Sequence, residues 1–277
     1  MWSAVAMPAT PTQILGRDDV QRLATTLLDA FETGRPISPL SESHPGLTVD
    51  DAYAIQRALT AGHARAGRAV TGRKIGLTST AIQQQLGVDS PDFGLLFDSH
   101  TYPSGARVSM RSLHAILPRV EGEIGFVLAH PLAGPGVTTD DVRAATAHVQ
   151  PVFELIDSRI RDWRISLTDT VADNASSLGA VLGEPVPLAA AEPLAELRMT
   201  LERDDETLHE GVGAAVLGDP ALAVAWLANE LGARGDELPA GQPILSGSLT
   251  AAVDATPGRY VAGFGPVVGA VRVEIEE

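Results

Sequence analysis

Apolar and polar positions alternate with two different periods along the chain, and the change of period divides it. From Asp19 to Thr33, Val20, Leu23, Ala24, Leu27, Leu28 and Phe31 recur with a helical period, and Gly34 follows as a stop. Thr48 opens a second helix, with Asp51 three residues on as a capping box, Ile55 and Leu59 facing inward, and Gly67 ending it. A polar, Pro-containing loop, Arg35 to Gly46, joins the two. Beyond it the period shortens. Arg119 to Leu128 and Pro151 to Asp157 read as strands, with a helical stretch predicted between them from Thr138 to Val149. Asp219 followed by Pro220 predicts a capped helix through Leu222, Trp226 and Leu227 to Gly232. The tail predicts short strands over Gly241 to Thr250, Tyr260 to Phe264 and Val267 to Ile275. The pattern therefore predicts an α+β fold: a helical N-terminal region over 1–66, then a mixed, barrel-like β core over 67–277.

Composition narrows the function classes. At 44% hydrophobic and 20% charged residues, the 277-residue chain can bury a large core and is not expected to be disordered. A formal net charge of −15 argues against nucleic acid as a partner, because phosphate binding needs clustered Lys and Arg. With no cysteine, disulfides, thiolate catalysis and Cys-ligated metals are excluded. No apolar run approaches the ~20 residues of a membrane span. Met1 to Ala9 is apolar, but it lacks a basic start and is broken at Pro8 and just beyond at Pro11, so no signal peptide is expected and the expected location is cytoplasmic.

The carboxylates carry the candidate chemistry. In Arg119-Val120-Glu121-Gly122-Glu123-Ile124, strand alternation puts Val120 and Ile124 on one face and Glu121 and Glu123 on the other. Glu154 stands alone in the apolar run Pro151 to Ile156. Adjacent like charges, and an isolated acid in apolar surroundings, are costly unless a cation compensates them. Three glutamates with no thiolate or neighbouring His make a hard oxygen site, suited to Mg²⁺ or Mn²⁺. A solvent-facing Glu-x-Glu with Glu154 in a structural ion pair fits the same pattern. Lys74, between Gly72 and Gly76, and Asp92, in Pro91-Asp92-Phe93-Gly94, are candidate acid–base groups on loops; a surface cation and a turn residue are the plainer alternatives.

Taken together, Gly72-Arg73-Lys74-Ile75-Gly76-Leu77-Thr78, Pro91-Asp92-Phe93-Gly94, Pro118 to Ile124, Ile156 to Trp163, Asp169 to Ser177, Ala225-Trp226-Leu227-Ala228 and Ile244 to Leu249 resemble the 2-oxopent-4-enoate hydratases of the fumarylacetoacetate hydrolase-like superfamily. The resemblance runs from about Val20 to the end. It implies a metal held by Glu121, Glu123 and Glu154, acid–base roles for Lys74 and Asp92, and a pocket lined by Thr78, Ser176 and Ser248. It implies a fold of mixed β-structure wrapped on itself, and homo-oligomers built on rings of five. The implied reaction is hydration of a small anionic substrate, 2-hydroxypenta-2,4-dienoate, to 4-hydroxy-2-oxopentanoate, in aromatic or steroid ring catabolism. Beside a dication, Lys74 is expected to have a lowered pKa. The related 4-oxalocrotonate decarboxylases share much of the same pattern. A carbon–carbon bond hydrolase, or a non-catalytic metal-binding partner subunit, completes the alternatives.

Overall fold

The computed structural model describes residues 15–79, 83–84 and 87–277. The Met1 to Ala9 segment, and the start of the predicted helical region, lie outside the described residues.

Two helices open the described chain. Helix α1 (Arg17–Thr33) buries Val20, Leu23, Ala24, Leu27 and Ala30, and Gly34 terminates it in the left-handed conformation at φ 64°. After a short turn of helix, α2 (Leu40–Ser43), comes α3 (Val49–Arg65). Its capping box is the predicted one: Thr48 Oγ1 accepts from the Asp51 backbone N–H, and Asp51 accepts in return from the Thr48 N–H.

The strands form two mixed sheets. The larger has nine strands, in the order β2 (Asp92–Phe97), β1 (Val70–Gly76), β11 (Pro243–Ser248), β5 (Arg119–Leu128), β6 (Thr146–Ile156), β7 (Ser177–Leu182) and β3 (Thr101–Pro103). Two short strands pair off this path, β8 (Val186–Pro187) on β6 and β12 (Val253–Asp254) on β5. The second sheet runs β10 (Glu206–Val212), β9 (Arg198–Arg203), β13 (Gly258–Gly263), β14 (Ala270–Glu276) and β4 (Ala106–Ser109). One hydrophobic cluster takes in Leu23 and Ile55 from the helices, Ile124 and Phe153 from the first sheet, and Leu201 and Tyr260 from the second. Among the described residues, no helix is long and apolar enough to cross a membrane.

The packing of β5 shows why its two faces differ. A Cβ added at Gly122 would lie 2.4 Å from Met199 Sδ and 3.4 Å from Ala262 Cβ, so this face of β5 lies against the second sheet. Val120, Ile124 and Phe126, in phase with Gly122, are fully buried there. Glu121 and Glu123 are therefore directed to the opposite face by the period-2 pleat.

Three expectations are corrected. The stretch Thr138 to Val149 is helical only over α4 (Thr139–Ala145); β6 starts at Thr146, where ladder pairing with β5 and β8 captures the β-branched Thr146 and Val149. Val267 belongs to a short helix, Gly265–Val268, and the last strand begins at Ala270. The barrel-like closure is not found, since among the described residues no ladder joins the edge strands β2 and β3. Side chains occupy the outer edge of β2 instead: the Leu95 N–H donates to Asn174 Oδ1 at 2.8 Å, and Leu95 O accepts from Asn174 Nδ2 at 2.9 Å. Gln56 Nε2 reaches Phe93 O on the same edge.

This makes Asn174 a structural residue. Asn174→Ala leaves the half-buried N–H and C=O of Leu95 unpaired and should destabilise the protein by about 1 kcal/mol per lost hydrogen bond. Chemical denaturation at fixed protein concentration checks this, and an unchanged midpoint contradicts it.

Candidate metal and acid–base centre

Strand register assembles the site. In the β5/β6 ladder Glu121 lies directly opposite Glu154, and in the β11/β5 ladder Glu123 lies opposite Ser248. One carboxylate oxygen from each of Glu121, Glu123 and Glu154 lies within 4.8 Å of the others. Glu123 and Glu154 are buried and Glu121 half-buried. Lys74 and Asp92 join them from β1 and β2. Both were expected on loops; the structure puts Lys74 within a strand and Asp92 at the start of one, and buries both.

The β1/β2 pairing explains the glycine at position 76. Gly76 is directly opposite Asp92, and a Cβ there would come 2.2 Å from Asp92 Oδ1 and 3.2 Å from Lys74 Nζ. Any side chain would displace the carboxylate. Gly247, at φ 110°, serves in another way: its N–H donates to Glu123 Oε2 at 2.8 Å, and a Cβ would collide with Thr78.

The remaining contacts come mainly from the run Asp169 to Ser177. Asp169 caps α5 (Leu167–Ala172) with Ser166 and receives the Ser41 hydroxyl at 2.6 Å. Thr170 Oγ1 donates to Asp92 Oδ2 at 3.3 Å. Asp173 accepts from Arg159 Nε at 2.5 Å, while Arg159 also donates to the carbonyls of Asp173 and Ser177. This network holds Asn174, Ala175 and Ser176 at φ 55°, 51° and 55°, three successive left-handed residues without a glycine. Such geometry costs of order 1–3 kcal/mol per residue and persists only where the surroundings enforce it. It aims the Ala175 carbonyl at Lys74 Nζ, 3.0 Å away.

Electrostatics sets what the centre needs. Lys74 Nζ is 3.2 Å from Glu154 Oε1, yet neither Glu154 oxygen has a hydrogen-bond partner, and Asp92 Oδ1 has none either. Four carboxylates face one ammonium. Burial raises the carboxyl pKa of Glu154 to about 7, against the pull of Lys74. Burial also raises Glu123 well above its ordinary value, with Glu154 and Glu121 adding to the effect. Glu121 and Asp92 are raised for the same primary reason. For Lys74 the balance is reversed: burial favours the neutral amine, but Glu154, Asp92, Glu121 and Glu123 outweigh it and raise its pKa. The protein's own groups thus oppose the lowered Lys74 pKa expected from a dication. Orphaned buried oxygens and excess negative charge fit a hard divalent cation, and no His lines the cavity.

That cavity has a volume of about 620 Å³. Thr78, Ser176 and Ser248 all line it. The Ser248 hydroxyl is partly spent on its own loop, donating to Thr250 O at 2.8 Å. Part of the lining is apolar: Ile156, Ile165, Ala215, Leu249 and Ala251. At the rim the Arg119 guanidinium lies 4.6 Å from the Trp163 ring centroid. Sequence reasoning missed Thr170, Gly247, Arg119 and the Ala175 carbonyl. Only the first lay within legible reach, as a hydroxyl inside the quoted run.

Residues 60–275 match the fumarylacetoacetate (FAA) hydrolase C-terminal family. The chain belongs to this family. Its relatives include a 2-hydroxyhexa-2,4-dienoate hydratase of Comamonas testosteroni, 47% identical over 84% of this chain and 88% of that protein. A 2-keto-4-pentenoate hydratase of Paraburkholderia xenovorans (strain LB400) is 44% identical over 92% and 94%. Among solved structures, the 4-oxalocrotonate decarboxylase from Pseudomonas putida G7, complexed with magnesium and adipate, superposes with a TM-score of 0.92 at 35% identity, covering 96% of this chain and all of that one.

The raised carboxyls make a signed prediction for this family member. A carboxyl raised from 4.5 to about 7 contributes stability that is complete below the unfolded value and lost as pH rises through about 7. Metal binding requires the deprotonated form. The rise in Tm on adding Mg²⁺ should therefore be larger at pH 8 than at pH 6 by thermal denaturation. A rise independent of pH contradicts the carboxylate assignment.

Proposed function

We propose that this protein is a metal-dependent hydratase that converts 2-hydroxypenta-2,4-dienoate (2-oxopent-4-enoate), or a close alkyl homologue, to the 4-hydroxy-2-oxo acid in ring catabolism. Relatives at 44–47% identity that carry hydratase names support it. The observation that carries it is Asp92: a buried carboxylate lining the cavity, with Oδ2 held by Thr170 and Oδ1 without a hydrogen-bond partner among the described residues. Adding water needs such a base, whereas loss of CO₂ requires only that a proton be returned.

In this reading Glu121, Glu123 and Glu154 hold Mg²⁺ or Mn²⁺. When bound, the cation supplies Lewis-acid polarisation of the substrate's carboxylate and 2-oxo oxygens. Lys74 has three N–H donors; one is engaged by Ala175 O and the ammonium is ion-paired with Glu154, which leaves donor capacity for substrate. Kept as an ammonium by the surrounding carboxylates, Lys74 gives C5 its proton and is restored by the proton that the C2 hydroxyl loses, which leaves the 2-oxo-3-enoate. Asp92 then takes a proton from the water that adds at C4 and returns it to C3, giving the 4-hydroxy-2-oxo acid. Thr78 and Ser176 orient the substrate's polar end, with Ser248 beside Glu123. Ile165, Leu249 and Ala251 exclude bulk water from its tail.

Residues 67–277 form the catalytic domain in this reading, and 1–66 a helical attachment. The family resemblance further supports a cytoplasmic homo-oligomer built on pentamers.

Three outcomes test the proposal. The dienoate should lose its absorbance and yield 4-hydroxy-2-oxopentanoate without CO₂; a far higher kcat/KM for CO₂ release from 4-oxalocrotonate would instead select the decarboxylase. Chelation should abolish activity and Mg²⁺ or Mn²⁺ restore it, with Glu123→Gln weakening metal affinity sharply by calorimetry. Asp92→Asn should lower kcat by ~10²–10⁴-fold, as for other lost general bases, while C5–deuterium exchange is less affected. Lys74→Met should suppress that exchange. Hydration by Asp92→Asn at the wild-type rate removes Asp92 as the base.

A further inference from the structure

A second cavity, of about 360 Å³, lies outside the carboxylate centre. Strand β1 contributes to both, with alternate residues pointing to opposite faces: Lys74 lines the first cavity and Arg73 the second. Phe93, next to Asp92, forms part of the second cavity's wall, and Tyr53 stacks on it at 4.7 Å.

Three guanidiniums line this cavity, Arg57, Arg73 and Arg234, against two carboxylates, Asp50 and Asp236. In a chain of net charge −15, such a local excess of positive charge stands out. Arg73 is the least satisfied of the three. It is 9% exposed and its Nε has no hydrogen-bond partner. Its other contacts are long: 3.4 Å to Gln242 Oε1, and 3.5 Å to Asp236, whose side chain is 59% exposed. A buried guanidinium with an empty donor is costly, and a solvent-screened carboxylate at that distance offsets little of the cost. Arg57 is exposed and forms no salt bridge among the described residues. Arg234 is already committed, to Glu230 at 2.6 Å and over the Tyr53 ring at 4.1 Å.

We propose that this cavity is a second ligand site, binding a small oxyanion, a carboxylate or a phosphate, through the Arg73 and Arg57 guanidiniums. Both oxyanions present paired acceptor oxygens that match the planar fork of a guanidinium. Thr60, also in the lining, adds a neutral hydroxyl.

Calorimetry on the full-length, metal-free protein tests this, with inorganic phosphate and acetate as separate probes at matched ionic strength. Without metal, the carboxylate centre is anionic and repels both. Saturable binding of either probe is expected, and the tighter one identifies the class of oxyanion. Losing one charge-assisted hydrogen bond, ~1.5–3 kcal/mol, should weaken binding by roughly 10–100-fold in Arg73→Gln and in Arg57→Gln. Glu123→Gln should leave the affinity unchanged. If Arg73→Gln does not fold, the exposed Arg57→Gln variant decides alone. No saturable binding of either anion, or affinity unaltered by the arginine substitutions, overturns the proposal.

Discussion

Buried negative charge is the constraint around which this protein is built. Glu123, Glu154 and Asp92 are buried where solvent screens them little, the half-buried Glu121 converges on them, and Lys74 is the buried ammonium among them. Taking carboxylates out of water is expensive, and pairing them with one another makes it worse. The protein meets the cost only in part, with Gly247 N–H on Glu123, Thr170 on Asp92 and Lys74 on Glu154. What is left over defines the ligand: a hard cation for the glutamates and an anionic substrate that the cation can accept.

Holding these charges in place requires a rigid frame. Four strands, β2, β1, β11 and β5, lie side by side, and β6 closes the group with Glu154 opposite Glu121. The pleat lets β5 pack the second sheet with one face and carry the glutamates on the other. The left-handed segment Asn174 to Ser176 is enforced by the buried Arg159–Asp173 pair and serves three ends at once. Asn174 seals the edge of β2, Ala175 holds Lys74, and Ser176 lines the cavity.

Much of this was legible in the sequence because it follows from local rules. The capping box at Thr48, the Asp219-Pro220 helix start and the β5 alternation are decided within a few residues, and they appear where predicted. The Glu-x-Glu pattern and the isolated Glu154 pointed to a cation because burial makes unpaired carboxylates costly. Their convergence with Lys74 and Asp92 came from the family resemblance, since pairing between strands distant in sequence decides it. The same reason hid β1 and β2: their glycines and charged residues read as loops, although Gly76 is there to make room for Asp92. Arg119 and the Ala175 carbonyl were out of reach, because a backbone oxygen has no sequence signature and an arginine's role depends on what it stacks against.

The central claim is that register brings three glutamates together to hold one divalent cation. Anomalous diffraction from crystals grown with Mn²⁺ tests it most directly. One strong peak should lie among the carboxylates of Glu121, Glu123 and Glu154, at ~2.0–2.2 Å from their oxygens as in hard-cation sites, and it should be lost in Glu154→Gln. A fully occupied Mn²⁺ elsewhere in the chain, with these carboxylates metal-free, would contradict the account.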